Sequence, residues 1–310
     1  STKSPDEMFL SALTTLANGG AYFFIDAISP SGSLSEAFYR VLAKINQRLQ
    51  PFKECVAAMH PRLWAKVGLY FSMPSCVDTS RNGVKLKALD DLRGNNMAIR
   101  QNAVLDETMG MAEILTKLHV PYRIITDITT DLADIKTIIV NNAAYLTSSE
   151  CQRLREFVAD GGMLIATGAT SLYSYHGDST GDFALADVFG VEFTGRFSQD
   201  VTYSGEEDVL ALGRTPLVKT TGAEVRAYLT FTDFPPYDAE HYASIHSNPP
   251  SSVRSKYPAV TWHPYGRGGC LWIAAPILVL QQFTQQEYYK NLLPPLLLPL
   301  LGRKVVGPSP

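Results

Sequence analysis

The chain has 310 residues, of which 45% are hydrophobic and 18% are charged, and its formal net charge is −3. This balance is typical of a globular protein with one large domain or two. No run of basic residues is longer than a pair, so we expect neither nucleic acid nor an anionic membrane as a partner. The four cysteines have neither the spacing of a zinc site nor that of a disulfide framework, so we expect no metal site.

The first segment of the chain is predicted to contain a helix followed by a strand. Ser4 and Glu7 have the spacing of a capping box, and a glycine pair at residues 19 and 20 ends the helix that they begin. The apolar run Ala21–Ile25 is typical of a buried strand, and Asp26 follows at its C-terminal end.

A second helix and the start of a new sheet come next. Ser33 is expected to begin a helix that stops before Pro51, because proline removes a helical hydrogen bond. Ala65–Phe71 is predicted to be the first strand of the sheet, and Leu105–Leu118 a helix. The residues of this helix that we expect to face inward are Met109, Ala112, Leu115 and Leu118.

Residues 137–168 predict a parallel crossover unit. Thr137–Val140 and Met163–Thr167 are short apolar runs that suit strands buried on both faces. Between them, Thr147 and Glu150 form a capping box for a helix that ends at a second glycine pair. With Tyr122–Thr126 as a further strand, the alternation of strands and helices indicates an α/β fold with a doubly wound, mainly parallel sheet.

Beyond residue 168 the regular alternation fades. The GxGG at residues 266–269 does not lead from a strand into a helix, so it is a hairpin turn and not a dinucleotide site, and we expect no cofactor. The elements expected here are a helix Phe183–Phe189, strands Val191–Tyr203 and Ala223–Phe231, an extended loop Asp233–Pro258, a hairpin of Ala259–Trp262 with Cys270–Ala274, and a last helix Gln285–Leu301.

The segment SPDEMFLSALTTLANGGAYFFIDAISPSGSL resembles the last strand and flanking helices of glycoside hydrolase barrels, among them the α-L-fucosidases. It departs from the fucosidase strand motif where Asp26 replaces an asparagine. The resemblance implies that residues 1–60 are the terminal α-β-α unit of a (β/α)8 TIM barrel. The earlier strands of that barrel, and its catalytic carboxylates, would then lie upstream of this chain.

Three later blocks resemble the trimerisation domain of family 42 β-galactosidases, which has a flavodoxin-like, class I glutamine-amidotransferase-like fold. They are VPYRIITDITTDLADIKTIIVNNAAYLTSSECQRLREFVADGGMLIATGAT, FALADVFGV and PAVTWHPYGRGGCLWIAAPI. The resemblance implies that this domain covers residues 61–301, that residues 302–310 form a linker or tail, and that the protein is a homo-oligomer, a trimer or a dimer.

An amidotransferase of this fold carries a cysteine nucleophile in the tight turn after the strand that corresponds to Met163–Thr167. The turn here consists of Gly168, Ala169 and Thr170. It has no thiol, and Cys151 lies within the preceding helix and cannot substitute for one. The hydroxyl of Thr170, or that of Ser171 beside it, is a conceivable nucleophile, but a turn hydroxyl is far more often a cap. We therefore interpret the turn as a degenerate nucleophile elbow.

Four residues are candidates for binding a sugar: Asp26, Tyr237, His241 and His246. Asp26 is the only acid at the end of the predicted barrel strand, although aspartate is also a routine turn residue. The loop with the tyrosine and the two histidines offers stacking surfaces and hydrogen-bond donors, although a loop packed on a partner subunit would have the same composition. No third ligand accompanies the two histidines, so they are not expected to bind a metal.

Two functions are consistent with these patterns. In the first, the chain is the non-catalytic, oligomer-forming part of a glycoside hydrolase that acts on galactoside- or fucoside-type carbohydrates through its upstream barrel. In the second, it is a stand-alone binding or assembly module of amidotransferase-like fold. The barrel-like first 55 residues favour the first hypothesis. No signal peptide is recognised, so the cytoplasm is favoured over export, but a region upstream of Ser1 would hide such a signal.

Overall fold

The computed structural model describes residues 3–26, 28–59, 64–76, 103–129, 132, 134–174, 180–198, 201–205, 209–212, 215–234, 240–241 and 249–275. The chain divides into two compact units, Ser1–Trp64 and Ala65–Pro310. Within the described ranges, none of the helices is both long enough and apolar enough to cross a membrane.

The first unit is built on two helices, α1 (Pro5–Ala17) and α2 (Glu36–Met59). The predicted capping box is confirmed, because the Ser4 hydroxyl accepts from the Glu7 N–H and the Glu7 carboxylate accepts from the Ser4 N–H. The two helices share a small core, to which Leu42, Ile45 and Leu49 contribute buried side chains.

Helix α2 differs from its prediction at both ends. The Ser35 hydroxyl, and not that of Ser33, accepts from the N–H of Phe38. The predicted stop before Pro51 is wrong, because the helix continues for eight residues beyond it. Proline leaves one carbonyl of the preceding turn without a helical partner, and Gln47 is exposed there, so that water can satisfy its carbonyl.

The extended segment between these helices is not the buried strand that the sequence predicts. Tyr22 and Phe24 pack against the helices, whereas Phe23 is 80% exposed and Ile25 is 78% exposed. No strand is assigned to residues 21–26. Strand structure requires hydrogen bonds to a neighbouring strand, and within the described part of this unit none is present.

The second unit contains the following elements in chain order: β1 (Val67–Tyr70), α3 (Met73–Cys76), α4 (Ala103–Lys117), β2 (Tyr122–Ile125), β3 (Thr137–Asn141), α5 (Ser148–Ala159), β4 (Met163–Thr167), α6 (Ala186–Phe189), β5 (Val191–Phe197), β6 (Val201–Ser204), β7 (Val209–Leu212), β8 (Pro216–Thr220), β9 (Glu224–Thr232), β10 (Ser251–Tyr265) and β11 (Gly268–Ile273). A sheet of nine strands runs in the order β2-β1-β3-β4-β11-β10-β9-β6-β7, and β5 and β8 form a separate two-stranded ribbon.

The first five strands of the sheet are parallel, which confirms the predicted α/β fold and the crossover unit. The sheet has one apolar core on each face. Ile138, Leu164 and Trp272 face the core that contains α5, while Ile139 and Ile165 face the core that contains α4. The sheet is therefore covered by helices on both sides, as a doubly wound fold requires.

Helix α4 presents most of the predicted face to the core, with one exception. Met111, Ile114 and Leu115 are buried, whereas Met109 is 46% exposed. The predictions for Ala112, Leu115 and Leu118 are confirmed, because Leu115 is fully buried and the other two pack against the same core. The prediction that Met109 faces inward is wrong, because Met109 lies roughly 120° around the helix from Leu115. Which edge of an apolar stripe meets the sheet depends on tertiary packing, and the helical period alone does not decide it.

The other four strands extend the sheet in antiparallel fashion. The predicted hairpin at residues 259–274 is confirmed, with Tyr265 opposite Gly268 across a two-residue turn. The predicted single strand Val191–Tyr203 is wrong, because it divides into β5 and β6. The predicted loop Asp233–Pro258 is wrong from Ser251 onward, where β10 begins. The predicted helix Gln285–Leu301 and the tail lie outside the described residues.

Candidate functional site

The turn after β4 lies at the carboxyl edge of the parallel strands, where open α/β sheets usually bind their ligands. We refer to residues 168–170 as the elbow turn. Gly168 has a φ of 56°, in the left-handed region. A Cβ atom at this position would lie 2.5 Å from Oδ1 of Asn142. Glycine therefore fits the elbow turn both by its backbone conformation and by its lack of a side chain.

Four consecutive backbone N–H groups in this region donate to partners inside the fold. The pairs are Gly168 to the Ile273 carbonyl (2.8 Å), Ala169 to Asn142 Oδ1 (2.9 Å), Thr170 to the Thr167 carbonyl (3.3 Å) and Ser171 to the Ala143 carbonyl (2.9 Å). An oxyanion hole needs N–H groups that point at the charge developing on a substrate. Since all four donors are used internally, the hydrogen bonds of the elbow turn serve the fold.

The side chains around the elbow turn are occupied in the same way. The Thr170 hydroxyl is fully buried and donates to the Thr167 carbonyl at 2.7 Å. The indole N–H of Trp272 donates to the Gly168 carbonyl at 3.3 Å. Asn142, which also has a left-handed φ of 47°, supplies the acceptor for Ala169. The Thr170 hydroxyl is thus a turn hydroxyl with no neighbouring base in the described contacts.

The two buried cysteines of the second unit are poor nucleophiles. Cys151 lies inside α5, and burial raises its pKa to about 11 even though Arg155 acts in the opposite direction. Burial also raises the pKa of the Cys270 thiol, which lies on β11. Both thiols stay protonated near neutral pH, and a protonated thiol is neither a good nucleophile nor a metal ligand.

A buried polar cluster next to the elbow turn was not found from the sequence. Glu107 of α4 is fully buried, and its Oε2 accepts from the Thr167 hydroxyl at 2.5 Å. The same hydroxyl accepts from the Asn142 N–H at 3.0 Å. The sequence does contain a signal, because Glu107 stands four residues before Met111, on the apolar stripe of its helix. An acid in line with a buried stripe indicates a buried hydrogen-bonding role.

A second polar group stands at the end of β1. The Tyr70 hydroxyl donates to Oε1 of Glu150, whose Oε2 accepts from the N–H and hydroxyl of Thr147. Burial raises the pKa of Tyr70 well above its ordinary value, and the hydrogen bond to the Glu150 carboxylate raises it further. The predicted capping box of α5 thus also holds a buried tyrosine.

An ion pair and a hydrogen bond link α5, α6 and β10 farther from the carboxyl edge of the sheet. Arg155 Nε lies 3.0 Å from Oδ2 of Asp187, and the Tyr265 hydroxyl donates to the same oxygen at 3.0 Å. Partial burial alone would raise the pKa of Asp187, but the hydrogen bonds from Arg155 and Tyr265 outweigh it and lower the pKa below its ordinary value.

The sequence of this chain matches the model of a known protein family. A sequence profile of the β-galactosidase trimerisation domain matches residues 112–299, which is more than half of the chain. The chain belongs to the β-galactosidase trimerisation domain family. The resemblance predicted from the three sequence blocks is thereby confirmed. None of the curated protein sequences compared with the chain matches it.

Solved structures share the fold of this trimerisation-domain chain. An α-L-fucosidase, isoenzyme 2 from Paenibacillus thiaminolyticus, matches with a TM-score of 0.69 and 16% identity over 98% of this chain and 43% of its own. A catalytic mutant of Gan42B, a family 42 β-galactosidase from G. stearothermophilus, matches with a TM-score of 0.64 and 18% identity over 94% of this chain and 41% of its own. A β-galactosidase from Bacillus circulans sp. alkalophilus matches with a TM-score of 0.59 and 16% identity over 88% of this chain and 37% of its own. The chain spans about two fifths of the length of each relative.

The candidate sugar-binding residues of the trimerisation-domain chain belong to different units or lie outside the described residues. Asp26 is half-buried in the unit Ser1–Trp64, and His241 belongs to the second unit, where its ring lies 6.5 Å from that of Phe234. Tyr237 and His246 lie outside the described residues. The described ranges contain no group of three or more acidic, histidine or cysteine side chains that could hold a metal ion. A role of these four residues in sugar binding stays a prediction.

Proposed function

We propose that this chain is the non-catalytic, oligomer-forming part of a glycoside hydrolase that acts on galactoside- or fucoside-type carbohydrates. In this proposal, hydrolysis is performed by paired carboxylates in a barrel upstream of residue 1. The family match supports the assembly role. The structural relatives, which are named as β-galactosidases and an α-L-fucosidase, support the substrate class.

The elbow turn is the observation that carries the non-catalytic role. Nucleophilic catalysis at this position would need an activated side chain and free N–H donors around it. The Thr170 hydroxyl instead donates to the Thr167 carbonyl, and the Ala169 N–H donates to Asn142. A substrate carbonyl would have to displace these hydrogen bonds before any oxyanion could be stabilised, and each displaced bond would cost about 1 kcal/mol.

The exposed face of residues 21–26 supports the upstream barrel. Phe23 and Ile25 alternate with two aromatic residues that pack on α1 and α2. This period of two is that of a strand whose second face also expects apolar neighbours. The inner face of a barrel would supply those neighbours, and the adjacent barrel strand would supply the backbone partners. A stand-alone module would leave this apolar face exposed to solvent.

The assembly role is tested by sedimentation velocity over a concentration series of the purified protein. Self-association into a homo-oligomer, with the mass of three copies as the expected limit, supports the proposal, because the family is described by its trimerisation. A monomer at every concentration contradicts the assembly role.

The division of labour is tested by activity. We expect the purified 310-residue chain to turn over neither aryl galactosides nor aryl fucosides. Turnover that is lost in the Asp26→Asn variant would overturn the proposal, because it would locate catalysis inside this chain. The coding sequence upstream of residue 1 provides a further check, since the proposal expects barrel strands that carry paired Asp or Glu residues there.

A further inference from the structure

A groove of about 480 Å³ lies between the β5–β8 ribbon and the β9–β10 strand pair, away from the elbow turn. Its walls carry three cationic side chains and two half-buried tyrosine rings, together with apolar and threonine side chains. The five residues that define it, which we call the basic groove, are Arg196, Lys219, Tyr228, Lys256 and Tyr257. Its volume is in the range of small-molecule sites.

A β-bulge shapes one wall of the basic groove. Arg254 on β10 pairs with Thr230 on β9, and Pro258 pairs with Tyr228. Residues 255–257 on β10 thus lie opposite a single residue on β9, Leu229. Such bulges bend a strand and re-aim its side chains. Here the bulge contributes Lys256 and Tyr257 to the wall of the groove.

The charge of the basic groove is not neutralised within the described part of the chain. Arg196, Lys219 and Lys256 form no ion pair with a described carboxylate, and the guanidinium of Arg254 adds a fourth cation 5.2 Å from the Tyr228 ring centroid. Glu192 stands opposite Lys219 in the ribbon register without bonding to it. Cations that line one concave surface favour an anion, because their like charges raise the local positive potential.

We propose that the basic groove binds an anionic monosaccharide unit. Its carboxylate or phosphate group would lie among the cations of Lys219, Lys256 and Arg196, and one face of the sugar ring would lie against Tyr228. Both features are required: the rings alone would hold a neutral sugar, and the cations alone would hold an inorganic anion. This inference is independent of the proposed function, because it involves neither the upstream barrel nor oligomer formation.

Isothermal titration calorimetry of the full 310-residue chain tests the proposal with four probes. Glucuronate and glucose 6-phosphate present the two kinds of anionic group on one sugar ring, while glucose and inorganic phosphate each lack one of the two features. We expect at least one charged sugar to bind about tenfold more tightly than either control, and the stronger of the two identifies the anionic group. We also expect this binding to weaken as salt is added, because the cations are exposed.

Two variants locate the site. Replacing the two lysines, in the Lys219→Met/Lys256→Met variant, is expected to weaken the charged sugar about tenfold. Tyr228→Leu is expected to weaken it while leaving inorganic phosphate unchanged. Lys44→Met, which removes an exposed lysine of the first unit, is the matched control and is expected to change nothing.

Three results would overturn the proposal: glucose binding as tightly as the charged sugars, inorganic phosphate binding as tightly as they do, or unchanged affinity in the double lysine variant. An unchanged unfolding temperature in each variant ensures that lost binding does not reflect a lost fold. Failure here leaves the sedimentation and activity tests of the proposed function unaffected, so the two proposals fail separately.

Discussion

The elbow turn lies in the parallel half of the nine-stranded sheet, whereas the basic groove lies between the antiparallel half and the ribbon. The two regions treat polar groups in opposite ways. At the elbow turn, four consecutive N–H groups and a buried hydroxyl are satisfied by the protein itself. In the basic groove, the cations face solvent without a described carboxylate partner. The first arrangement stabilises a fold, and the second leaves interaction capacity for something outside it.

This difference shows why the fold alone is a poor guide to the site. Open parallel sheets usually bind ligands at their carboxyl edge, and the elbow turn occupies that edge. The backbone N–H donors of the elbow turn are all used in hydrogen bonds within the protein. The binding capacity that we propose lies instead where the antiparallel strands and the ribbon form a concave surface.

The largest effect is expected from forcing a side chain into the elbow turn. Gly168→Ala combines an unfavourable left-handed backbone with a Cβ atom 2.5 Å from Asn142, and we expect it to lower the free energy of unfolding by about 2–4 kcal/mol. Urea denaturation measures this loss. Gly181→Ala is the matched control, because Gly181 has a φ of 81° but open space around it, and it is expected to cost only about 1 kcal/mol. Equal losses in the two variants would show that the elbow turn is not tightly packed.

Removing the Asn142 acceptor tests the hydrogen bonding of the elbow turn directly. Asn142→Ala leaves the Ala169 N–H without its partner and places alanine at a left-handed φ, so we expect a loss of about 2 kcal/mol in unfolding free energy. Asn142→Gly removes the acceptor but tolerates the backbone, and it separates the two causes. Asn142→Asp keeps an acceptor oxygen and is expected to cost least. If all three variants unfold like the parent, the bond contributes nothing.

The Tyr70 hydroxyl is expected to make stability depend on alkaline pH. Its pKa is raised in the folded state, so its contribution is fully present below the unfolded tyrosine pKa of about 10 and is lost as the pH rises above that value. Tyr70→Phe removes the bond to Glu150 and is expected to cost about 1.5 kcal/mol at neutral pH. The variant should also lose less stability than the parent between pH 9 and about pH 11. Parallel pH curves for the two proteins would refute this role.

The smallest effect is expected at the Arg155–Asp187 pair. The pKa of Asp187 is lowered in the folded state, so its contribution is present above the unfolded value of about 4 and is lost as the pH falls through the folded value. Because the pair is partly exposed, Asp187→Asn is expected to cost only about 0.5–1 kcal/mol at pH 7 and to flatten the loss of stability below pH 4. Asp160→Asn, which breaks a more exposed pair with Arg267, is expected to cost less than about 0.5 kcal/mol. Thermal unfolding of the parent and both variants as a function of pH measures these losses.

Local chemistry made part of this fold predictable. The capping boxes at Ser4 and Thr147 and the apolar runs of β3 and β4 are determined by neighbouring residues, and the structure contains all of them. The absence of a thiol from the elbow turn was visible for the same reason. The partners of the N–H groups of the elbow turn could not be predicted, because Asn142 and Ile273 are distant from it in the sequence.

Features that depend on distant partners escaped prediction. The burial of Glu107 depends on Thr167, which is 60 residues away in the sequence. The basic groove depends on four strands, β5, β8, β9 and β10, that come together only in the fold. Ala21–Ile25 has a strand pattern, yet whether it is buried depends on neighbours that its own sequence does not specify.

The alternating segment at residues 21–25 also bears on how the protein behaves in the test tube. An extended, aromatic-rich edge that has no strand neighbour among the described residues is a template on which a second copy of the same segment can pair. Purified chains would then precipitate through Phe23 and Ile25 by a route unrelated to trimer formation. Lysine at these two outward positions would block such pairing by charge repulsion while leaving Tyr22 and Phe24 on the helices. The sedimentation experiment is therefore best performed on this charged variant beside the parent, because only assembly common to both reports the trimerisation surface.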